Sequence, residues 1–348
     1  MTSPARPVIA VLCERADDRP RRLEPLANRV EFRFTDRAGL PAALGGAQAL
    51  LLWDFLSDAL TTAWPAADSL QWVHIVAAGV DRLLFDELVA SDVVVTNARG
   101  IFERPIAEFV LASILASAKQ LRQSHDLQRE HRWLHRETAA IRDQTVLIVG
   151  TGAIGREIAG LLRAVGMQVR GAGRTARTGD PDFGDVAASD RLPEIVGWAD
   201  HLVVAAPLTE QTRGMVNAAV FAAMKPAAQL INVGRGPIVD EPALLDALQR
   251  KQIAAAAIDV FVNEPLPPDS PVWTTPGLAV TPHMSGDVVG WRDALARQFV
   301  DNAERWLAGD ALRNVVDKRL GFIAAVALDP APTPTPRTAH LTAEPVTR

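Results

Sequence analysis

The chain has 348 residues, 48% of them hydrophobic, and a formal net charge of -5 near neutrality. That length buries a large core and lies near the size at which one core usually divides into two domains. The acidic balance, with Arg scattered among Asp and Glu, argues against a nucleic-acid partner, which needs a concentrated basic face.

A single cysteine, Cys13, excludes an intrachain disulfide and a thiolate metal cluster and points to a reducing compartment; it reads as a buried strand residue. The histidines at 74, 125, 131, 135, 201, 283 and 340 show no ligand spacing, and His131 and His135 lie in a polar stretch that reads as surface, so no metal is expected. No run approaches the ~20 apolar residues of a membrane span, and the N-terminal apolar run is shorter than a signal peptide's core. A soluble, cytoplasmic protein is expected, with no membrane partner.

In chain order, short β-branched runs come first: PVIAVLC at 7 to 13, VEFRF at 30 to 34, ALLLW at 49 to 53, WVHIV at 72 to 76 and DVVVTN at 92 to 97. Amphipathic segments alternate with them, a rhythm that predicts βα repeats on a parallel sheet. A helical pattern from Pro105 to about Trp133 follows, with Pro105 suited to a first turn. A second series runs through TVLIV at 145, MQVRGAG at 167, HLVVAA at 201, AQLINV at 228, IAAAAIDV at 253 and LAVTP at 278. An amphipathic helix from Trp291 to Leu307 is expected to return to the first domain, so that the chain crosses twice. The last residues combine repeated Pro with Thr and Ala, without apolar periodicity, and predict a disordered tail.

Gly150, Gly152 and Gly155 form G-T-G-A-I-G between the strand TVLIV and a helix-period segment. In that setting the first glycine permits a tight turn, the second admits a pyrophosphate and the third lets helix pack on strand; Ala153 and Ile154 open the helix whose N-terminus meets the phosphates. An acid is expected at the end of the next strand if the ribose carries a free 2′-hydroxyl. Here that strand ends in Gly173, Arg174, Thr175, Ala176 and Arg177, with no acid before Asp180. Two guanidinium groups and a hydroxyl suit a 2′-phosphate, with Arg174 the main contact and Arg177 the support; NADP(H) is expected in preference to NAD(H), which stays possible. An exposed basic turn would present the same residues.

Three later segments place a polar residue where an apolar strand gives way to a loop, the position at which open α/β sheets hold ligands. Arg235, between Gly234 and Gly236, is expected to have backbone room and to reach a carboxylate and the neighbouring carbonyl with its planar fork. Glu264 precedes Pro265 and is restrained to extended backbone, and His283 follows Pro282 after LAVT. Taken singly these fit a turn, a loop carboxylate and a structural histidine equally well.

Together, AAGVD at 77, TNARG at 96, AEFVLA at 107, GTGAIG, APLTEQT at 206, INVGRGPIVDEPAL at 231, IDVFVNEPLP at 258 and TPHMSG at 281 resemble the D-isomer-specific 2-hydroxyacid dehydrogenase family. The likeness runs from about Val73 to Val316 and includes glyoxylate/hydroxypyruvate reductase and phosphoglycerate dehydrogenase types. It implies an oxidoreductase acting on a small 2-hydroxy or 2-keto acid, with Arg235, Glu264 and His283 as the catalytic set. It also implies that Asp259 meets the nicotinamide carboxamide, that Ala206, Pro207, Thr212 and Val233 touch the cofactor, and that N–H groups of Ala78 and Gly79 hold the substrate carboxylate beside Arg235 and His283. The implied fold is α/β with two lobes: a Rossmann-type dinucleotide-binding domain, 99–286, inserted into a flavodoxin-like substrate-binding domain, 1–98 and 287–322, with 323–348 as tail. A homodimer through the Pro105 to Trp133 region, and hinges near 97–104 and 286–291, are further expectations.

Chemistry supports the carry-over. An alkoxide formed by hydride delivery needs a proton donor, and His283 beside Glu264 is expected to hold its pKa above the reference of about 6.5. Arg235 would polarise the carbonyl and orient the acid. Trp53, Ile101, Phe102 and Trp291 are the bulky candidates for the substrate cleft, and their bulk suggests an apolar or small side group. The regulatory domain that some phosphoglycerate dehydrogenases of the family carry is not expected after Val316, and the chain departs from the family pattern in lacking the acid of the second dinucleotide strand. Formate dehydrogenases, relatives with an amide at the Glu264 position, resemble it less. A dinucleotide-sensing corepressor with the same fold is the alternative of a different class.

Overall fold

A computed structural model describes residues 6–15 and 18–323, so the predicted tail lies almost wholly outside the described residues. Two sheets organise the molecule. The first contains β1 (Val8–Leu12), β2 (Glu31–Thr35), β3 (Ala49–Leu52), β4 (Trp72–Ile75) and β5 (Val94–Thr96), all parallel, in the order β2-β1-β3-β4-β5. Every residue of β1, β3 and β4 is buried, as the near-continuous apolar runs of a sheet covered on both faces require. The order is that of flavodoxin-like folds.

The second sheet contains β6 (Thr145–Val149), β7 (Gln168–Gly173), β8 (Arg177–Asp180), β9 (Gly184–Ala188), β10 (His201–Val204), β11 (Gln229–Asn232), β12 (Ala255–Ile258) and β13 (Leu278–Val280). Their order is β13-β12-β11-β10-β6-β7-β9-β8, parallel except for the β8–β9 hairpin. Strand order reverses at β6, whose neighbours are β7 and β10. In a Rossmann-type sheet that reversal opens the ligand crevice at the carboxyl ends of the strands.

The helix Trp291–Ala308 returns to the first sheet. It buries Leu295, Ala296, Phe299, Val300, Asn302 and Ala303, and Phe299 stacks on Trp72 of β4 with ring centroids 5.4 Å apart. Beyond it, Val316 N–H donates to Val95 O at 2.8 Å. The chain therefore passes from sheet one to sheet two and back.

The long helix predicted from Pro105 to Trp133 is instead two helices, Glu103–Ala118 and Leu121–Arg129. Gln120 between them is left-handed at φ 50°, and the N–H groups of Lys119 and Gln120 turn back to Leu115 O and Ser117 O. From Glu130 to Ala140 no further helix forms, and Trp133 is fully exposed there. Among the described residues no helix is long and apolar enough to cross a membrane.

Candidate active site

The crevice at the β6/β10 switch point is shaped by glycine. Gly150, directly after β6, has φ 104°, and a Cβ there would lie 2.6 Å from the backbone of Ala205 and Ala206 at the end of β10. A Cβ on Gly155 would lie 1.9 Å from Gly150 O, so the helix Ala153–Ala164 can sit this close to the loop only without one. Gly152 caps that helix with no side-chain hydrogen bond and has nothing within 4 Å of its Cβ position. The positive helix end therefore faces open space, the arrangement that receives a pyrophosphate. Ala206 and Val233 close the walls at the ends of β10 and β11, each largely buried. Thr212 ties the loop after β10 shut, donating to Pro207 O at 2.8 Å.

At the end of β7 an unforeseen ion cluster forms around the buried Asp180, on the β8–β9 hairpin. Arg156 of the adjoining helix grips both of its oxygens at 2.9 Å, and Arg177 reaches Oδ2 through Nε at 3.0 Å and a terminal nitrogen at 2.7 Å. The Arg156 bonds, with those of Arg177, hold the Asp180 carboxyl well below the usual range although burial opposes them. Arg156 also meets Asp182. Arg177 donates as well to Thr151 Oγ1 of the glycine loop at 3.0 Å. Arg174 and Thr175, by contrast, stand exposed at the rim, and no carboxylate pairs with Arg174 among the described residues. Sequence spacing brought Arg174 and Arg177 to the same strand end but could not show that the charge of Arg177 is already matched.

Arg235, Glu264 and His283 follow the neighbouring strands β11, β12 and β13. The flanking glycines of Arg235 do not provide the room expected from sequence: a Cβ on Gly236 would lie 2.0 Å from Phe261 C, so glycine is needed because the loops after β11 and β12 touch. Arg235 Nε donates to Asp81 Oδ1 at 3.0 Å and a terminal nitrogen donates to Gly234 O at 2.8 Å. Its other terminal nitrogen comes within 2.0 Å of where a Cβ on Gly79 would stand. Nothing in the sequence marks Asp81, a loop acid 154 positions from its partner.

The loop Ala77–Gly79 follows β4 on the first sheet. Asn97 donates to Ala78 O at 2.7 Å and Ala98 N–H to Ala77 O at 2.9 Å, which fixes the carbonyls. The N–H groups of Ala78 and Gly79 have no acceptor among the described residues. Free N–H groups beside a guanidinium make an anion site.

His283 is held left-handed at φ 52° by its N–H, which donates to Asp259 O at 2.8 Å. Asp259 is fully buried. Its Oδ1 accepts from Thr281 Oγ1 at 2.6 Å and Met284 N–H at 3.0 Å, and Oδ2 from Ser285 N–H at 2.9 Å. In this structure Asp259 pins the loop that carries the imidazole, a set of contacts that the family resemblance does not name.

His283 Nδ1 lies 2.9 Å from Glu264 Oε2, and Glu264 Oε1 accepts from Phe261 N–H at 2.8 Å. Burial raises the Glu264 pKa, but the His283 and Phe261 bonds outweigh it and bring the net value down. The carboxylate stays ionised and accepts from Nδ1–H, which leaves Nε2 to give or take a proton in the cleft.

Around this centre Phe102 and Phe55 meet Trp291 with centroids 6.1 and 6.2 Å apart. Arg292 lies over Trp291 at 5.4 Å and over Trp53 at 6.0 Å. Trp53, Ile101, Phe102 and Trp291 belong to the same extended apolar cluster as Ala78, and within it Phe102 and Trp291 are in ring contact. Phe55, in a loop, and Arg292, in the first turn of the helix Trp291–Ala308, join them, and single positions of those types carry no signal in sequence.

Proteins similar to this chain are found in one family. The family model described as D-isomer specific 2-hydroxyacid dehydrogenase, NAD binding domain, matches residues 111–285. A glyoxylate reductase of Aeropyrum pernix is 30% identical over 73% of this chain and 78% of its own length. A D-3-phosphoglycerate dehydrogenase of Mycobacterium tuberculosis is 30% identical over 87% of this chain, which spans 58% of that longer protein. The solved NADPH-dependent glyoxylate/hydroxypyruvate reductase of Sinorhizobium meliloti, in complex with NADP and malonate, superposes with a TM-score of 0.77 at 30% identity, covering 92% of this chain and 100% of that one.

Proposed function

The chain belongs to the D-isomer-specific 2-hydroxyacid dehydrogenase family, and we propose that this oxidoreductase reduces a small 2-keto acid, such as glyoxylate or hydroxypyruvate, with NADP(H) in preference to NAD(H). The observation that carries the reading is the Glu264–His283 pair on strand ends next to that of Arg235, whose guanidinium lies against Gly79 of the loop with free N–H groups. These residues fit a nicotinamide dinucleotide: the Gly152 opening and uncapped helix end would hold its phosphates, and Arg174 with Thr175 its adenosine end.

A bound nicotinamide supplies or accepts the hydride. The N–H groups of Ala78 and Gly79 and one edge of Arg235 hold the substrate carboxylate, while Arg235, its orientation set by Asp81, draws charge toward the carbonyl oxygen. His283 Nε2 gives its proton to that oxygen as it becomes an alkoxide, and Glu264 stabilises the imidazolium beforehand. In oxidation the neutral ring takes the hydroxyl proton. Trp53, Phe102, Ile101 and Trp291 cover the rest of the cleft and exclude water from it.

The first sheet with the helix Trp291–Ala308, residues 1–98 and 287–322, is the proposed substrate lobe, and 99–286 the cofactor lobe. A homodimer through the 105–133 region is also proposed, supported by the fully exposed Trp133 and half-exposed Leu121 and Leu134 beside it; a monomer in sedimentation at micromolar concentration would count against it. The function is tested by assaying glyoxylate, hydroxypyruvate, pyruvate and branched or aromatic 2-keto acids with NADPH and NADH. Turnover of a small 2-keto acid with the higher kcat/KM for NADPH is expected. A higher value with NADH overturns the cofactor preference, and no turnover of any acid overturns the substrate class.

A further inference from the structure

The segment after the last helix brings an aromatic ring from the first sheet to the rim of the dinucleotide crevice. Val316 N–H bonds Val95 O, and Lys318 Nζ donates to the carbonyls of Leu88 at 2.9 Å, Ser91 at 2.6 Å and Val93 at 2.9 Å, which lashes the segment to the first lobe. Asp317 then closes a tight turn. Its carboxylate accepts from Arg319 N–H at 2.9 Å and Leu320 N–H at 3.1 Å, its carbonyl from Gly321 N–H at 2.9 Å, and its own N–H donates to Phe322 O at 3.1 Å. Gly321 has φ 74°, a conformation that suits glycine. The turn delivers Phe322 to Arg174, whose guanidinium carbon lies 5.5 Å from the ring centroid.

Arg174 is the first residue after β7 and belongs to the second sheet. Among the described residues it has no carboxylate partner, whereas Arg156 and Arg177 are both matched by Asp180. An aromatic ring holds a guanidinium by its face and leaves the N–H edge free to donate. We propose that Phe322 is a positioning residue for cofactor discrimination: it fixes the plane of Arg174 so that the N–H edge meets the 2′-phosphate of NADP(H). The proposal rests on the NADP(H) reading above. Recognition of the 2′ group then draws on both lobes, because the ring is anchored to one sheet and the cation to the other.

Equilibrium titration of the full-length protein with NADPH, NADH and 2′,5′-ADP tests it, using wild type, Phe322→Leu, Phe322→Tyr, Arg174→Ala and the Phe322→Leu/Arg174→Ala double variant. Phe322→Leu is expected to weaken NADPH and 2′,5′-ADP by roughly three- to fivefold and NADH by less, the size of a cation–π contact at an exposed site. Phe322→Tyr should keep the wild-type ratio, and Phe322→Leu should add nothing once Arg174 is gone. Equal weakening of NADPH and NADH in Phe322→Leu, a ratio lost in Phe322→Tyr, or an undiminished effect in the Arg174→Ala background each overturn the proposal. Failure of the NADP(H) reading shows separately, in the wild-type protein, as equal or tighter binding of NADH, and it removes the proposal's premise. Should Phe322→Leu unfold, the Tyr ratio and the Arg174→Ala loss still decide.

Discussion

His74 and His283 each belong to a strand or its carboxyl end, and each ring meets an oxygen at hydrogen-bond distance, yet their surroundings give them opposite chemistry. His74, within β4, is fully buried, with Nδ1 2.8 Å from Thr96 Oγ1. That oxygen also accepts from Trp72 Nε1 at 2.9 Å, and Nε2 of the ring is buried with no partner among the described residues. Burial pushes the His74 pKa down to about 3. His283 is partly exposed and has a carboxylate where His74 has a hydroxyl, with its second nitrogen free for the cleft. A histidine becomes a proton carrier when a neighbour supplies charge and the far nitrogen has somewhere to send the proton; without both it is a core residue.

The largest effect that sharpens this contrast is at the rim. His283→Ala should lower kcat by roughly a hundred- to ten-thousandfold, since a positioned acid contributes that much, with NADPH affinity and thermal midpoint nearly unchanged. Steady-state kinetics alongside cofactor titration check it, and near-wild-type turnover would remove His283 from the chemistry.

At the core, the effect is on stability. The folded pKa of His74 lies below the unfolded value of about 6.5, so below that pH the unfolded chain binds a proton the folded one refuses. Stability is therefore complete above pH ~6.5 and is lost as pH falls toward 3, by at most ~2 kcal/mol at pH 5. Denaturant unfolding at pH 7 and pH 5 should show that loss in wild type and a smaller one in His74→Leu. Equal losses in both would place the acid sensitivity elsewhere.

The fold was readable because parallel strands leave an unbroken apolar run, and each run from VIAVL to LAV became a strand. Features set by side chains distant in sequence were not. The helix break at Gln120 has no Gly or Pro to mark it, and the β8–β9 hairpin is built from RTGD and GDVAA, which carry no apolar run. At the candidate site the three polar residues stood out because they end adjacent strands. Asp81, Asn97 and the bonds of Asp259 to the loop after β13 did not, since a loop acid or amide looks the same whether or not it meets a partner on another strand. The glycines beside Arg235 were visible, but the crowding that requires Gly236 comes from Phe261 on the next loop.

The finest test changes the partner and leaves the ring. Glu264→Gln replaces an anion that accepts from both Phe261 N–H and His283 with an amide that has only one acceptor oxygen. If that oxygen keeps the Phe261 N–H, the amide NH2 faces His283 and the ring must present Nδ1 as acceptor. Some turnover will be lost for this reason alone, so amplitude does not discriminate. The pH profile does. With the carboxylate ionised across the working range, the charge of Glu264 favours the imidazolium form of the pair. Reduction uses that protonated form, so its alkaline limb should move down in the variant; oxidation uses the neutral form, so its acidic limb should move down as well. Profiles of kcat/KM in both directions measure the shift, with unfolding midpoints taken alongside. Limbs that stay in place while the fold is intact would mean that Glu264 only orients the ring, and that a hydroxyl in its place, the partner His74 has, would have served as well.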